Sequence, residues 1–313
     1  MVTTARSDAE TSMPTTLSFT DSTPLLGDRE ALRARADGDG YLFFAGRLPA
    51  EPLLCLRRKI LEIVGRHGLL DPERGGEGFA HVEKLRGLEL PGGCTEGIYR
   101  DVQRLESFHT LAHHRGLLEI FETLFEGPVL PHPRNIARVL LPAPDAAATP
   151  PHQDFIHVQG ATETWTAWFP LGDCPRELGG LSVLEKSHKK GVLAVGDAAG
   201  AGGLGTILCR GEDTWLEHDY AVGDVLTFPS TTVHRGLPNR LPGRIRLSCD
   251  LRYQDAYDEI EQKSLEPHRN ILTWHEVYAG WSSDRYQRYW EDLELMISPW
   301  DESIRWQKER ICD

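Results

Sequence analysis

The chain has 313 residues, 40% of them hydrophobic and 26% charged, and 47 acidic against 34 basic residues leave a net charge of −13. That length is ample for one large core. The acid excess argues against a nucleic-acid partner, because a polyphosphate backbone needs a basic surface to displace its counterions. It leaves room for a small anionic ligand, since one buried arginine can hold a carboxylate whatever the total charge. No apolar run is long enough to cross a bilayer, and the opening residues lack the apolar stretch of a signal peptide. Six cysteines with no CxxC spacing read as free thiols in a reducing compartment, so a cytoplasmic protein without a membrane partner is expected.

Residues 1–27, polar and rich in Thr and Ser, read as a flexible lead-in. The remainder, 28–313, reads as one domain in three stretches. From 28 to 127 the pattern is helical. Leu53, Leu54, Leu56, Ile60, Leu61 and Val64 recur at three- and four-residue intervals, and further helices are expected over 102–114 and 116–125. After Pro131 the period changes. The segments 137–141, 164–171, 181–184, 224–228 and 244–253 are short, aromatic or β-branched, and bounded by Gly, Pro or Asp, as in an antiparallel sandwich or barrel. Residues 255–313 return to helical or irregular texture rich in Trp, Tyr, Glu and Arg. The expected fold is mainly β with flanking helices.

The chemistry concentrates in two places. Residues 150–154 read PPHQD, and in an extended segment His152 and Asp154 point to one face because the side-chain period of a strand is two. His234, just past the strand DVLTF, is the third candidate ligand. Two imidazoles and one carboxylate leave half an octahedron open, which suits non-haem Fe(II) oxygen chemistry. An HxD alone is a weak signal, and a solvated loop histidine beside an aspartate accounts for most of them. Downstream, Arg244, Arg246 and Ser248 alternate onto one strand face, where a buried arginine is costly unless an anion pairs with it.

PPHQD, TWTAWFPLGDCPRELGGLSVLEKSH and TVHRGLPN followed by RIRLSCDLRYQ together resemble the phytanoyl-CoA dioxygenase family of 2-oxoglutarate oxygenases, over about residues 135 to 254. The resemblance implies a double-stranded β-helix, or jelly roll, over about 131–254. It implies that His152, Asp154 and His234 hold Fe(II), and that an arginine ten to twelve residues past His234 binds the far carboxylate of 2-oxoglutarate. The R-x-S pattern favours Arg246 with Ser248 as a second donor, and Arg244 stands in reserve. Trp168 is implied as a pocket wall and Gln153 as a support beside the metal. The implied reaction uses O2 to hydroxylate an unactivated C–H of a small metabolite or natural product, releasing succinate and CO2. Asp154 fills the position a halide needs, which argues against a halogenating relative. Desaturation or cyclisation would use the same ligands. A jelly-roll isomerase or hydrolase using the same His/Asp/His set with zinc or manganese, and without 2-oxoglutarate, is the alternative. A non-catalytic binding module is the third reading, opposed by the intact triad.

Other features have blander readings. His188 sits in an expected turn. His109 and His113, four apart, lack an acidic partner at HExxH spacing and read as an ordinary helix. Residues 200–205 spell GxGxxG, but TILCRGEDTW follows where a helix should open, so a loop over the pocket is expected and not a dinucleotide site. Trp165 and Trp168 have opposite parity, so one should face the pocket and the other the helices. The aromatic tail (Trp274, Trp281, Tyr286, Tyr289, Trp290, Trp300, Trp306) reads as packing against the barrel.

Overall fold

The computed structural model describes residues 17–143, 148–200, 202–208 and 214–306. Its helices lie where the 3.6-residue period runs, and its strands where the period shortens. Helices α1 (Arg29–Asp39), α2 (Ala50–Arg66), α3 (Val82–Leu85), α4 (Glu96–Gln103), α5 (Glu106–His109) and α6 (Arg115–Leu124) precede the β-core, with α7 (Phe155–Val158) inside it and α8 (Trp274–Tyr278) after it. The strands are β1 (Leu42–Phe44), β2 (Val129–Pro131), β3 (Ile136–Leu140), β4 (Trp165–Pro170), β5 (Leu181–Leu184), β6 (Val195–Asp197), β7 (Leu204–Thr206), β8 (Trp215–Leu216), β9 (Val225–Pro229), β10 (His234–Gly236), β11 (Arg246–Asp255), β12 (Ile260–Glu261) and β13 (Ile297–Ser298).

Two antiparallel sheets form the jelly roll. The larger runs β1-β9-β4-β11-β2, with β3 also on β11, and the smaller runs β10-β5-β8. The smaller sheet is extended by single bridges, His152 to His234 at one edge and Leu17 to Leu216 at the other. Every residue of β4 is buried, because each of its faces is covered. Trp165, Ala167 and Phe169 pack beneath the helices, while Trp168 packs between the sheets with Val183, Leu226 and Phe228. The opposite parity of the two tryptophans is thus realised.

Three expectations are corrected. The lead-in ends earlier than residue 27. Phe19 and Ser22 are buried, and Phe19 stacks on Phe43, so the chain from Leu17 onward is part of the packed body; residues 1–16 lie outside the described residues. The helical half contains a strand, since Leu42–Phe44 pairs with β9. A buried run of three residues carries no periodicity that distinguishes strand from helix. The helix expected over 102–114 is broken into the end of α4, the short α5 and a 3-10 turn over Thr110–His113.

The aromatic tail does pack inward. Trp274 and Trp290 meet Leu130 and Ile260, and the Trp281 indole N–H donates to the Arg104 carbonyl at 3.1 Å. Tyr286 stacks on His113 with ring centroids 4.0 Å apart. Trp306 lies beyond the described side chains. The GxGxxG segment links β6 to β7 in an antiparallel pair, with Gly202 and Gly203 at positive φ in the turn. Residues 201 and 209–213 of the loop expected to cover the pocket lie outside the described residues. No helix among the described residues is long and apolar enough to cross a membrane. Cys55, Cys94, Cys174 and Cys249 are free thiols.

Burial pushes His109 and His113 down from 6.5 to about 4. Histidines of the unfolded chain titrate near 6.5, so acid protonates the unfolded state first. Stability from these groups is complete above 6.5, falls as pH drops toward 4, and then levels off. His113→Phe keeps the stack on Tyr286 and removes one titrating ring. Its thermal midpoint is therefore expected to drop less than the wild type's between about pH 7 and about pH 5. An equal drop in both proteins would show that His113 is not an acid-labile group.

Candidate metal centre and cosubstrate pocket

The chain reaches the site as a single bridge. His152 N–H donates to the His234 carbonyl at 2.9 Å and His234 N–H returns a bond at 3.0 Å, which sets the two imidazoles side by side, 4.2 Å apart. The segment does not continue as a strand. Asp154 has helical dihedrals and caps α7, so a turn, and not strand alternation, aims its carboxylate at the histidines. Gln159, at the other end of α7, holds a positive φ of 54°, a region a side chain rarely visits, and its amide is fixed by two bonds to the Asp301 backbone.

Nitrogens of His152 and His234 and a carboxylate oxygen of Asp154 all lie within 4.8 Å of one another, and all three residues are buried. Each histidine donates Nδ1–H to a backbone carbonyl, His152 to Pro150 at 2.9 Å and His234 to Thr232 at 3.1 Å. That leaves both Nε2 lone pairs for a metal. Burial pushes His152 down to about 3 and lowers His234, so both imidazoles are neutral near pH 7, as ligands must be. Burial works to raise the Asp154 pKa, but the Arg252 guanidinium and the Thr166 hydroxyl outweigh it and hold the carboxylate ionised.

The cavity beside these three residues is also lined by Arg138, Thr149, Thr166, Trp168, Leu181, Phe228, Arg246 and Asp250. β11 supplies its floor. Arg246, Ser248, Asp250, Arg252 and Gln254 alternate along that strand and all are buried. Arg246 Nη1 donates to Ser248 Oγ at 2.5 Å, its Nε–H has no partner, and among the described residues no carboxylate forms an ion pair with it. Burial accordingly pulls the guanidinium below its ordinary range. A 3%-exposed guanidinium without a counter-ion is a seat for an anion, and the far carboxylate of a keto acid chelated at the triad fits that seat. The Trp168 indole N–H is likewise buried and unpartnered on the same wall. The residues present therefore fit both groups.

Arg244 is elsewhere. It precedes β11 in a bridge to Phe79, over whose ring its guanidinium lies at 4.9 Å. Gln153 is turned away from the cavity. Its amide donates to the carbonyls of Gly191 and Thr231 and accepts from Leu193 N–H, a brace and not a cosubstrate contact. His188 bonds the Asp37 carbonyl at 3.1 Å, as a structural turn should. Two buried charges escaped the sequence reading. Asp250 pairs with Arg138 at 2.7 Å, and Arg252 pairs with Asp154 at 3.2 Å. The strict polar alternation of RLSCDLRYQ was the available signal.

A jelly roll carrying a buried, open-faced His/Asp/His set beside an unpaired arginine defines an enzyme class, the iron- and 2-oxoglutarate-dependent oxygenases. Residues 37–247 match phytanoyl-CoA dioxygenase, and the chain belongs to that family. Among named relatives, a 1-deoxypentalenic acid 11-beta-hydroxylase of Streptomyces arenae is 30% identical over 264 residues, covering 80% of this chain and 89% of the relative. Its counterpart from Streptomyces exfoliatus is 28% identical, covering 82% and 92%. Among solved structures, the epimerase SnoN, in complex with Fe3+, alpha ketoglutarate and nogalamycin RO, is 21% identical with a TM-score of 0.52, covering 75% of this chain and 86% of its own. The carbocyclase SnoK is 18% identical with a TM-score of 0.51, covering 77% and 89%. Those two likenesses describe the fold.

Gln153 holds three backbone groups at once. Gln153→Ala is expected to lower unfolding free energy by about 2–4 kcal/mol, because it strands buried partners. Denaturant melts and cosubstrate titration check this together. An undiminished stability, or a selective loss of cosubstrate binding, would assign Gln153 to the pocket instead.

Proposed function

We propose that this oxygenase hydroxylates an unactivated C–H bond of a small metabolite or natural product, holding iron on His152, Asp154 and His234 and the far carboxylate of 2-oxoglutarate on Arg246. The observation that carries the reading is the unpaired, buried Arg246 guanidinium lining the same cavity as the triad. The names of the curated relatives support hydroxylation as the outcome. Iron and 2-oxoglutarate would supply, when bound, the means of activating dioxygen: the keto acid gives up two electrons and CO2 to become succinate, and the substrate C–H gives the other two as it is hydroxylated.

The protein's own part is placement and exclusion. The backbone carbonyls of Pro150 and Thr232 fix the tautomers, so both imidazoles present lone pairs without a proton to lose. Arg246 offers a planar fork for a carboxylate, which a lysine cannot match, and Ser248 fixes one of its arms. Trp168, Leu181 and Phe228 wall the cavity with apolar surface, which keeps water from the reacting centre. The isomerase or hydrolase alternative has no need of a buried arginine seat, and family membership favours the oxygenase.

The test is an anaerobic optical titration of the protein with Fe(II) and then 2-oxoglutarate, reading the weak visible charge-transfer band of a chelated keto acid. Wild type and Arg244→Ala are expected to give the band at similar cosubstrate concentrations, His152→Ala to give none, and Arg246→Ala to need about 100-fold more cosubstrate. A normal titration in Arg246→Ala would move the anion seat to another residue. No band in wild type at saturation would sink the proposal.

A further inference from the structure

Asp154 supplies the only carboxylate of the ligand set, and both of its oxygens carry protein donors. Thr166 Oγ1 donates to Oδ2 at 2.5 Å, and Arg252 Nη2 donates to Oδ1 at 3.2 Å. The two donors are directly opposed across the β4–β11 ladder, so one register fixes both. Arg252 is 6% exposed, and Asp154 is its one ion-pair partner among the described residues. Oδ1 is the oxygen that faces the imidazoles, 3.9 Å from His152 Nε2.

We infer that Arg252 and Thr166 form a two-sided clamp that presents Asp154 through one oxygen and biases bound iron toward the ferrous state. This rests on the reading of His152, Asp154 and His234 as the iron ligands. The hydroxyl of Thr166 occupies Oδ2 and leaves Oδ1 to coordinate, so the carboxylate cannot swing to a two-oxygen grip that would fill a coordination position. The guanidinium acts on the ligating oxygen itself. It is permanently charged and in a low-dielectric interior, so it withdraws electron density from Oδ1 and opposes a further positive charge on the ion. Oxidation of iron from +2 to +3 adds one such charge. A ferrous ion waiting for cosubstrate and substrate is thereby protected from losing an electron to dissolved oxygen. Both side chains are positioning residues: neither reaches substrate, and each acts through Asp154.

The test uses the full chain loaded anaerobically with Fe(II), with iron affinity measured by titration. Oxidation after exposure to air, without substrate, is followed through the ferric signal in electron paramagnetic resonance. Arg252→Gln removes the charge and is expected to turn ferric about tenfold faster than wild type, whereas Arg252→Lys is expected to oxidise within about twofold of it. Thr166→Val frees Oδ2 and is expected to weaken iron binding about tenfold. A merely structural role would lower melting temperature in all three variants without separating the charged from the neutral replacement. Should Arg252→Gln fail to fold, Arg252→Lys and Thr166→Val decide the matter: iron binding kept with lysine and weakened with valine supports the clamp, and unchanged binding in Thr166→Val overturns it. Arg252→Gln that folds, binds iron and oxidises at the wild-type rate overturns the electrostatic half. Wild type that binds no stoichiometric iron overturns the ligand assignment and the clamp together, whereas good wild-type binding with indifferent variants overturns the clamp alone.

Discussion

The polar face of β11 is the constraint around which the molecule is built. Five successive inward positions, Arg246, Ser248, Asp250, Arg252 and Gln254, are polar and buried. Such a row is tolerable only where each group finds a partner, because an unpaired buried charge costs several kcal/mol. Asp250 takes Arg138 from β3, Arg252 takes Asp154, and Gln254 accepts from His132 at 2.7 Å and from Thr164 at 3.3 Å. Ser248 takes one arm of Arg246. After these pairings Arg246 is the charged member of the row without an ion-pair partner among the described residues, and it stands on the wall of the cavity beside His152, Asp154 and His234. Its readiness for an anion is what remains when every neighbouring charge has been matched.

The candidate metal ligands themselves sit on little regular structure. Two of them are partners in a single bridge, and the third opens a four-residue helix. Their precision comes from what surrounds them. β10 is tied to β5 by a ladder, the Gln153 amide locks the intervening residue to two loops, and the two Gln159–Asp301 bonds secure the far end of α7. Short, irregular backbone can thus carry a metal site when its hydrogen-bonding groups are fully committed to neighbours.

The parts of this architecture that could be read from the sequence were those encoded locally. The strands over 137–141, 164–171, 181–184, 224–228 and 244–253 are legible because β-branched and aromatic residues stand between breakers, and the ligand candidates because His152, Asp154 and His234 keep characteristic company. Arg246 could be preferred to Arg244 on pattern, and the structure shows the physical difference: one lies in the ladder, the other in the turn before it. What stayed hidden depends on distant partners. Leu42–Phe44 becomes a strand only because β9 offers an open edge, and Phe19 is buried only because Phe43 and Tyr220 meet it. The break at residues 104–105 has no Gly or Pro to announce it. Arg252 could have been flagged by alternation, but its role needed the fold to bring Asp154 within 3.2 Å.

The helical half, remote from the chemistry, governs it through register. Along β11 the alternate positions Leu247, Cys249, Leu251 and Tyr253 lie beneath the helices, with Tyr253 stacked on Phe121 at 4.2 Å and its hydroxyl donating to the Ala112 carbonyl. A slip of one residue would exchange the two faces, driving Arg246, Asp250 and Arg252 into an apolar layer and turning Leu and Tyr toward the metal cavity. Both faces of the strand resist that slip, one by hydrophobic burial and the other by ion pairing. The same pairing that places Arg252 opposite Thr166 also sets Trp168 opposite Asp250 on the cavity wall. The packing that stabilises the fold and the alignment that makes the site competent are therefore a single condition, met or lost together.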